Sequence, residues 1–167
     1  ETQAETTDLA AAALEYARQG FHVFPCHPGD KEPIPTGGYK AATADVDQVA
    51  AWWRDNPEAN IGVWPGPSGL IALNIVQQGK VDGEKTLARL LRKYQKLPAN
   101  VPKLRDPAGG YQIWVAVPEK FGPPPGRPAG KGVEVCSAEG HVLLPPSRTK
   151  DGVYETREGS LPLTRPG

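Results

Sequence analysis

The sequence predicts an α+β domain, a mixed fold in which largely antiparallel sheets carry flanking helices. Three observations lead there. Glycine and proline number 19 each among 167 residues, which argues against a helical bundle and for short strands joined by punctuated turns. Short apolar runs flank turn-forming segments such as Pro65-Gly66-Pro67-Ser68-Gly69 and Asp106-Pro107-Ala108-Gly109-Gly110, as hairpins require. Three other segments show helical rather than alternating periodicity.

The first of these is Asp8–Gln19, with Leu9, Ala12, Ala13, Tyr16 and Ala17 on one side and Gly20 as its stop. Phe21–Phe24 reads as a strand ended by Pro25, and His27–Thr43 as a turn-rich loop. Asp45 with Gln48 forms a capping box. It opens a helix through Trp52 and Trp53 that must stop before Pro57. Asn60–Trp64 and Leu70–Val76 predict a hairpin. Gly83–Leu97 is the strongest helix, with Leu87, Leu90, Leu91 and Tyr94 at helical spacing. Val101–Leu104 and Tyr111–Val117 predict a second hairpin, Val133–Cys136 and His141–Leu144 a third strand pair, and Val153–Thr156 an edge strand. Gly122–Gly130 (GPPPGRPAG) is expected to be an exposed loop that holds neither ladder nor helix.

Length and composition suit a single domain over residues 1–167 with room for a core. The chain contains no methionine and opens on Glu-Thr-Gln-Ala, so it is expected to be part of a longer protein. Its two cysteines, Cys26 and Cys136, cannot staple a disulfide-rich scaffold, and a reduced cytoplasmic compartment is expected. No apolar run is long enough to cross a membrane.

Lys+Arg and Asp+Glu both total 19, which excludes a polycationic binder but not a locally basic surface. Residues 1–60 hold ten acids and four bases, a net −6, leaving +6 for the remainder. Seven cations and no acid fall within Lys85–Arg105. This run is either a solvated helix face or a surface for nucleic-acid phosphates.

Generic chemical motifs are weak. His22, Cys26 and His27 could contribute zinc ligands, but no second pair is spaced to complete a tetrahedron, and a buried Cys26 beside a surface His27 is the plainer reading. Trp52-Trp53 is adjacent on a helix, so one ring should enter the core while the other covers its edge. Neither common phosphate-loop pattern is present.

Taken in order, the landmarks form a pattern. They are Ala13-Leu14-Glu15-Tyr16-Ala17, Val23-Phe24-Pro25, Gly29-x-Lys31-x-Pro33, Gly38-Tyr39-Lys40-x-Ala42-Thr43 and Trp52-Trp53. Asn60-Ile61-Gly62-Val63, Ser68-Gly69-Leu70, Gly109-Gly110 and Pro145-Pro146-Ser147 follow. From about Leu9 to Glu155 the chain resembles the bifunctional primase-polymerase amino-terminal domain of the archaeo-eukaryotic primase superfamily. The resemblance implies an RRM-like catalytic core and a place in a phage or plasmid replication protein, often ahead of a helicase.

It also implies a catalytic design. Two aspartates one residue apart end the strand after the Ser-Gly-Leu turn, and with a third acid on a later strand they hold two divalent cations. A histidine after the Gly-Gly turn contacts the nucleotide's phosphates. At these positions the chain carries Asn74, Val76, Gln112 and Glu134, with Cys136-Ser137 where arginine-glycine is common. Only Glu134 is a carboxylate, and one carboxylate cannot hold two hard divalent ions. Asp82 and Glu84 lie just beyond the strand but read as charges at a helix amino terminus. Asp45-Val46-Asp47 lies in a helix cap.

The expectation is therefore a degenerate primase-polymerase domain retained to bind DNA weakly and without sequence preference, or a nucleotide, or a replication partner. Lys31, Lys40, Arg89, Arg92, Lys93 and Lys96 are the expected nucleotide- or DNA-binding residues. No cofactor is expected. Two alternatives stay open. One is an active DNA primase or polymerase using magnesium or manganese, whose metal acids lie elsewhere or were removed by substitution. The other is a protein-interaction module that touches no nucleic acid.

Overall fold

The computed structural model describes residues 8–93, 102–116 and 127–158. Its elements begin with α1 (Leu9–Arg18), β1 (Val23–Cys26), a short 3-10 helix (Gly38–Ala41), α2 (Val46–Asp55) and β2 (Asn60–Val63). Then come β3 (Leu70–Ile75), β4 (Gln77–Gln78), β5 (Val81–Asp82), α3 (Gly83–Lys93), β6 (Lys103–Arg105) and β7 (Tyr111–Ala116). The last are β8 (Arg127–Gly130), β9 (Val133–Cys136), β10 (Val142–Leu144), β11 (Arg148–Thr149), β12 (Gly152–Val153) and β13 (Glu155–Glu158). Helices and antiparallel sheets together make the α+β class the sequence predicts.

Both early helices start where side-chain oxygens replace missing backbone partners. The Asp8 carboxylate accepts from the Ala11 amide at 3.0 Å, and that of Asp45 from the Asp47 amide at 3.0 Å. Leu9, Ala13 and Ala17, four residues apart, form the buried stripe of α1. Trp53 enters the core and donates its indole N–H to the Ala59 carbonyl at 3.0 Å, while Trp52 covers the core's edge half-buried.

Two sheets organise the molecule. A three-stranded sheet has the order β1-β2-β10, and a six-stranded one the order β13-β6-β7-β3-β9-β8. Successive strand residues face opposite sides, so the larger sheet carries two cores. Leu70, Ala72, Leu104, Trp114 and Cys136 join α1, α2 and the smaller sheet in the main core. Ile75, Tyr111, Ile113 and Val133 meet Leu87 of α3 in a second core. The site grows from this split.

Several local expectations are overturned. Asn60–Trp64 and Leu70–Val76 form no hairpin, because β2 lies between β1 and β10 while β3 lies between β7 and β9. The proline-rich segment between them crosses from one sheet to the other, held by the Gly66 amide on the Ser137 carbonyl at 2.7 Å. For the same reason β9 and β10 are not partners. Pro25 does not end the first strand; it sits inside β1, an edge strand, where its missing N–H costs no ladder bond. Arg127–Gly130, expected in a loop, is the edge strand β8, with a register shift between Pro128 and Gly130. The β6–β7 hairpin follows the sequence reading, whereas the edge strand expected at Val153–Thr156 begins later, at Glu155, because Val153 pairs with Arg148 in the separate β11–β12 ribbon. The end of the basic helix expected at Leu97 lies outside the described residues.

Two sequence landmarks prove to be joints between chain segments. Asn60 is fully buried. Its amide donates to the carbonyls of Asp30 at 2.9 Å and Arg148 at 2.6 Å, and its oxygen accepts from the Arg148 amide at 3.0 Å. The Ser147 hydroxyl accepts from the Ile61 amide at 2.7 Å, and Tyr16 donates to the Pro145 carbonyl at 2.7 Å.

Candidate functional site

The four positions that the sequence singles out converge at the end of the central strand. Asn74 pairs in register with Gln112 of β7 on one side and Glu134 of β9 on the other. Residues directly opposite in an antiparallel sheet share a face. Gln112, Asn74 and Glu134 therefore stand in one row, on the face that meets the smaller sheet. Val76 follows β3 on that same side, its amide fixed to the Gly132 carbonyl at 2.8 Å.

The Gly-Gly turn explains how β7 delivers Gln112 beside Asn74. Asp106 caps the turn, accepting from the Ala108 amide at 2.9 Å. Gly110 packs against the Ile75 carbonyl so closely that any side chain would collide with it. Gln112 is 2% exposed, and its oxygen accepts from the Trp114 indole at 3.2 Å. The Asn74 Oδ1 is buried without a hydrogen-bond partner among the described residues, a costly state for an amide oxygen. Glu134 is exposed.

Two recesses open on this row. One, of about 440 Å³, is lined by Asn74 and Val76 together with Lys31, Asp106, Lys150 and Asp151. The other, of about 370 Å³, is lined by Asn74, Gln112 and Glu134 with Lys31, Glu139 and His141. Lys31 and Asn74 belong to both. His141 holds the Lys31 segment in place, its Nε2 donating to the Lys31 carbonyl at 3.0 Å while its ring meets the Phe24 ring edgewise at 5.0 Å. Burial lowers the His141 pKa, as does the Lys31 charge to a lesser degree, against the opposing effect of that hydrogen bond. The Cys136 thiol is pushed up to about 12, first by burial and then by the Glu134 charge, so it is an inert thiol.

The remaining expected residues divide by location. Lys40 is exposed on the 3-10 helix and lines neither recess. Arg89 and Arg92 are exposed on α3, behind the larger sheet and away from the row. The Lys93 side chain and Lys96 lie outside the described residues. Cys26 is buried, its thiol pushed up to about 12 by burial and Asp30, while His27 is exposed. Sequence reasoning missed His141, Asn60 and the Thr149–Asp151 turn. Asn60 stood inside a quoted landmark, but nothing local signalled that distant chain segments would meet there.

The donor set does not fit a pair of divalent metals. Asn74 is neutral, Val76 offers no donor atom, and the Gln112 oxygen is engaged by Trp114. Among the described residues no cluster of three or more His, Cys, Asp or Glu side chains could hold a metal ion. Hard divalent ions need several anionic oxygens, and the row supplies one carboxylate.

The row of three site positions thus lies across an antiparallel sheet of an α+β domain, facing a second sheet over two recesses. The chain matches the family described as bifunctional DNA primase/polymerase, N-terminal, over residues 13–166. It belongs to this Prim-Pol family. No curated protein matches it.

Proposed function

We propose that this chain is a non-catalytic Prim-Pol domain of a replication protein, retained to bind a nucleotide, DNA or a replication partner without transferring nucleotides. The observation that carries the reading is the Gln112–Asn74–Glu134 row. It gathers three of the positions at which the family resemblance places catalytic side chains, and only one of them is a carboxylate. Two-metal transfer depends on cations that activate the attacking hydroxyl and neutralise the phosphates. Asn74 and Val76 add no negative charge to the cleft floor, and Lys31, shared by both recesses, can meet a phosphate there. The parent protein is a phage or plasmid replication protein of the cytoplasm, in which a helicase domain is a natural companion.

The test is a pair of measurements on the 167-residue chain. Primer extension should give no product with magnesium or manganese. Titration of a labelled nucleoside triphosphate should show binding that persists in a chelator and weakens in Lys31→Ala. Metal-dependent extension would overturn the non-catalytic reading, and absence of any binding would overturn the cleft's proposed role.

A further inference from the structure

The strongest feature the cleft does not use is the outer face of α3. We propose that this face is a nucleic-acid backbone site, on the opposite side of the six-stranded sheet from the Asn74 row and independent of it. The inference shares the replication setting of the proposed function but does not depend on whether the cleft binds nucleotide.

The placement follows from sheet alternation. Leu87 packs against Ile75, Tyr111, Ile113 and Val133, which alternate with Asn74, Gln112 and Glu134 along their strands. Whatever lies on the outer side of α3 therefore points away from the recesses. Lys85, Arg89 and Arg92 are all exposed. Their four- and three-residue spacing puts them on one stripe, about 6 and 4.5 Å apart along the axis. That stripe is opposite Leu87.

Other cations sit beside an acid. Arg18 sits 3.6 Å from Glu15, Arg54 3.9 Å from Asp55 and Arg105 3.6 Å from Glu155. Lys85, Arg89 and Arg92 make no ion pair with any described acid. One further cation belongs to a segment that abuts the helix, because the Thr86 hydroxyl donates to the Lys131 carbonyl at 2.6 Å, and Lys131 is exposed. The exposed α3 positions Glu84, Lys85, Ala88, Arg89 and Arg92 include no aromatic ring to stack on a base. The chemistry is backbone neutralisation with counterion release, and it carries no sequence preference.

The test is fluorescence anisotropy of labelled oligothymidylate against the 167-residue chain at a series of salt concentrations. The parent should bind at low salt. Lys85→Ala/Arg89→Ala/Arg92→Ala should bind at least about tenfold more weakly, and its slope of log affinity against log salt should be flatter by about 2, at roughly 0.7 per phosphate. Arg18→Ala/Arg54→Ala, which removes charge elsewhere, should stay within about twofold of the parent. If the triple variant fails to fold, Arg89→Glu alone must weaken binding. The proposal is overturned if the parent does not bind, if the α3 variants bind as the parent does, or if Arg18→Ala/Arg54→Ala weakens binding as much. Primer extension by the parent would overturn the non-catalytic reading and leave this one standing.

Discussion

Asn74 and Glu134 face each other directly across the β3–β9 ladder, so the charge on one sets the cost of a charge on the other. The pair holds a single carboxylate. Asn74→Asp would place like charges directly opposite, an arrangement that destabilises a sheet by roughly 0.2–1 kcal/mol. Thermal melts in chelator should show that loss, and millimolar magnesium or manganese should reverse it. The parent's melting temperature should not respond to either metal beyond a general ionic effect. A saturable shift in the parent, abolished by Glu134→Ala, would mean that further ligands exist.

Gln112 holds a structural role as well as its place in the row. It is 2% exposed and accepts from the Trp114 indole at 3.2 Å. Gln112→Leu should leave that indole N–H unpaired and cost about 1–3 kcal/mol. Denaturant unfolding checks this, and a change below about 0.5 kcal/mol, the usual range for neutral surface substitutions, would show that the indole finds another acceptor.

Asn60 ties the Asp30 segment to the start of β11, and both segments carry residues that line the larger recess. Asn60→Ala should destabilise the chain by about 1–3 kcal/mol, since the Asp30 and Arg148 carbonyls and the Arg148 amide, all in part-buried bonds, lose their partner. Proteolysis should then cut first within 27–37, which loses its anchor. Cleavage in the parent's pattern would contradict this.

His141 predicts the sign of a pH effect. Its pKa is lowered in the folded chain, chiefly by burial, so the unfolded chain binds its proton more readily. The stability it supports is complete above its unfolded pKa of about 6.5. It declines as pH falls from there through the folded value. Melting temperature should fall between about pH 7.5 and 5.5, and His141→Gln should flatten the decline. An unchanged slope in the variant would assign it to other groups.

The legible parts of this fold were those fixed by neighbours in sequence. The helix start at Asp45, the apolar side of α1 with Leu9, Ala13 and Ala17, and the β6–β7 hairpin depend on local spacing and stand as read. Asp45, however, caps through the Asp47 amide, and its own amide turns to the Thr43 hydroxyl rather than to Gln48. Strand partnership was not legible across the Pro65–Gly69 segment. A turn-rich run of that length serves a hairpin or a sheet crossing equally well, and the choice rests on distant contacts such as Gly66 with Ser137. The site positions were found through the family resemblance, yet their alignment in one row needed the register of three strands. The basic run was visible at once, whereas its separation from the cleft followed only from which face of the sheet meets Leu87.

The central claim is that the row cannot support nucleotidyl transfer, and templated primer extension tests it most directly. With magnesium or manganese, purified chain and a mock preparation should give the same absence of extended product. Extension that requires the metal and disappears in Glu134→Ala would contradict the claim, because it would show that a single carboxylate at the end of a row of two amides suffices.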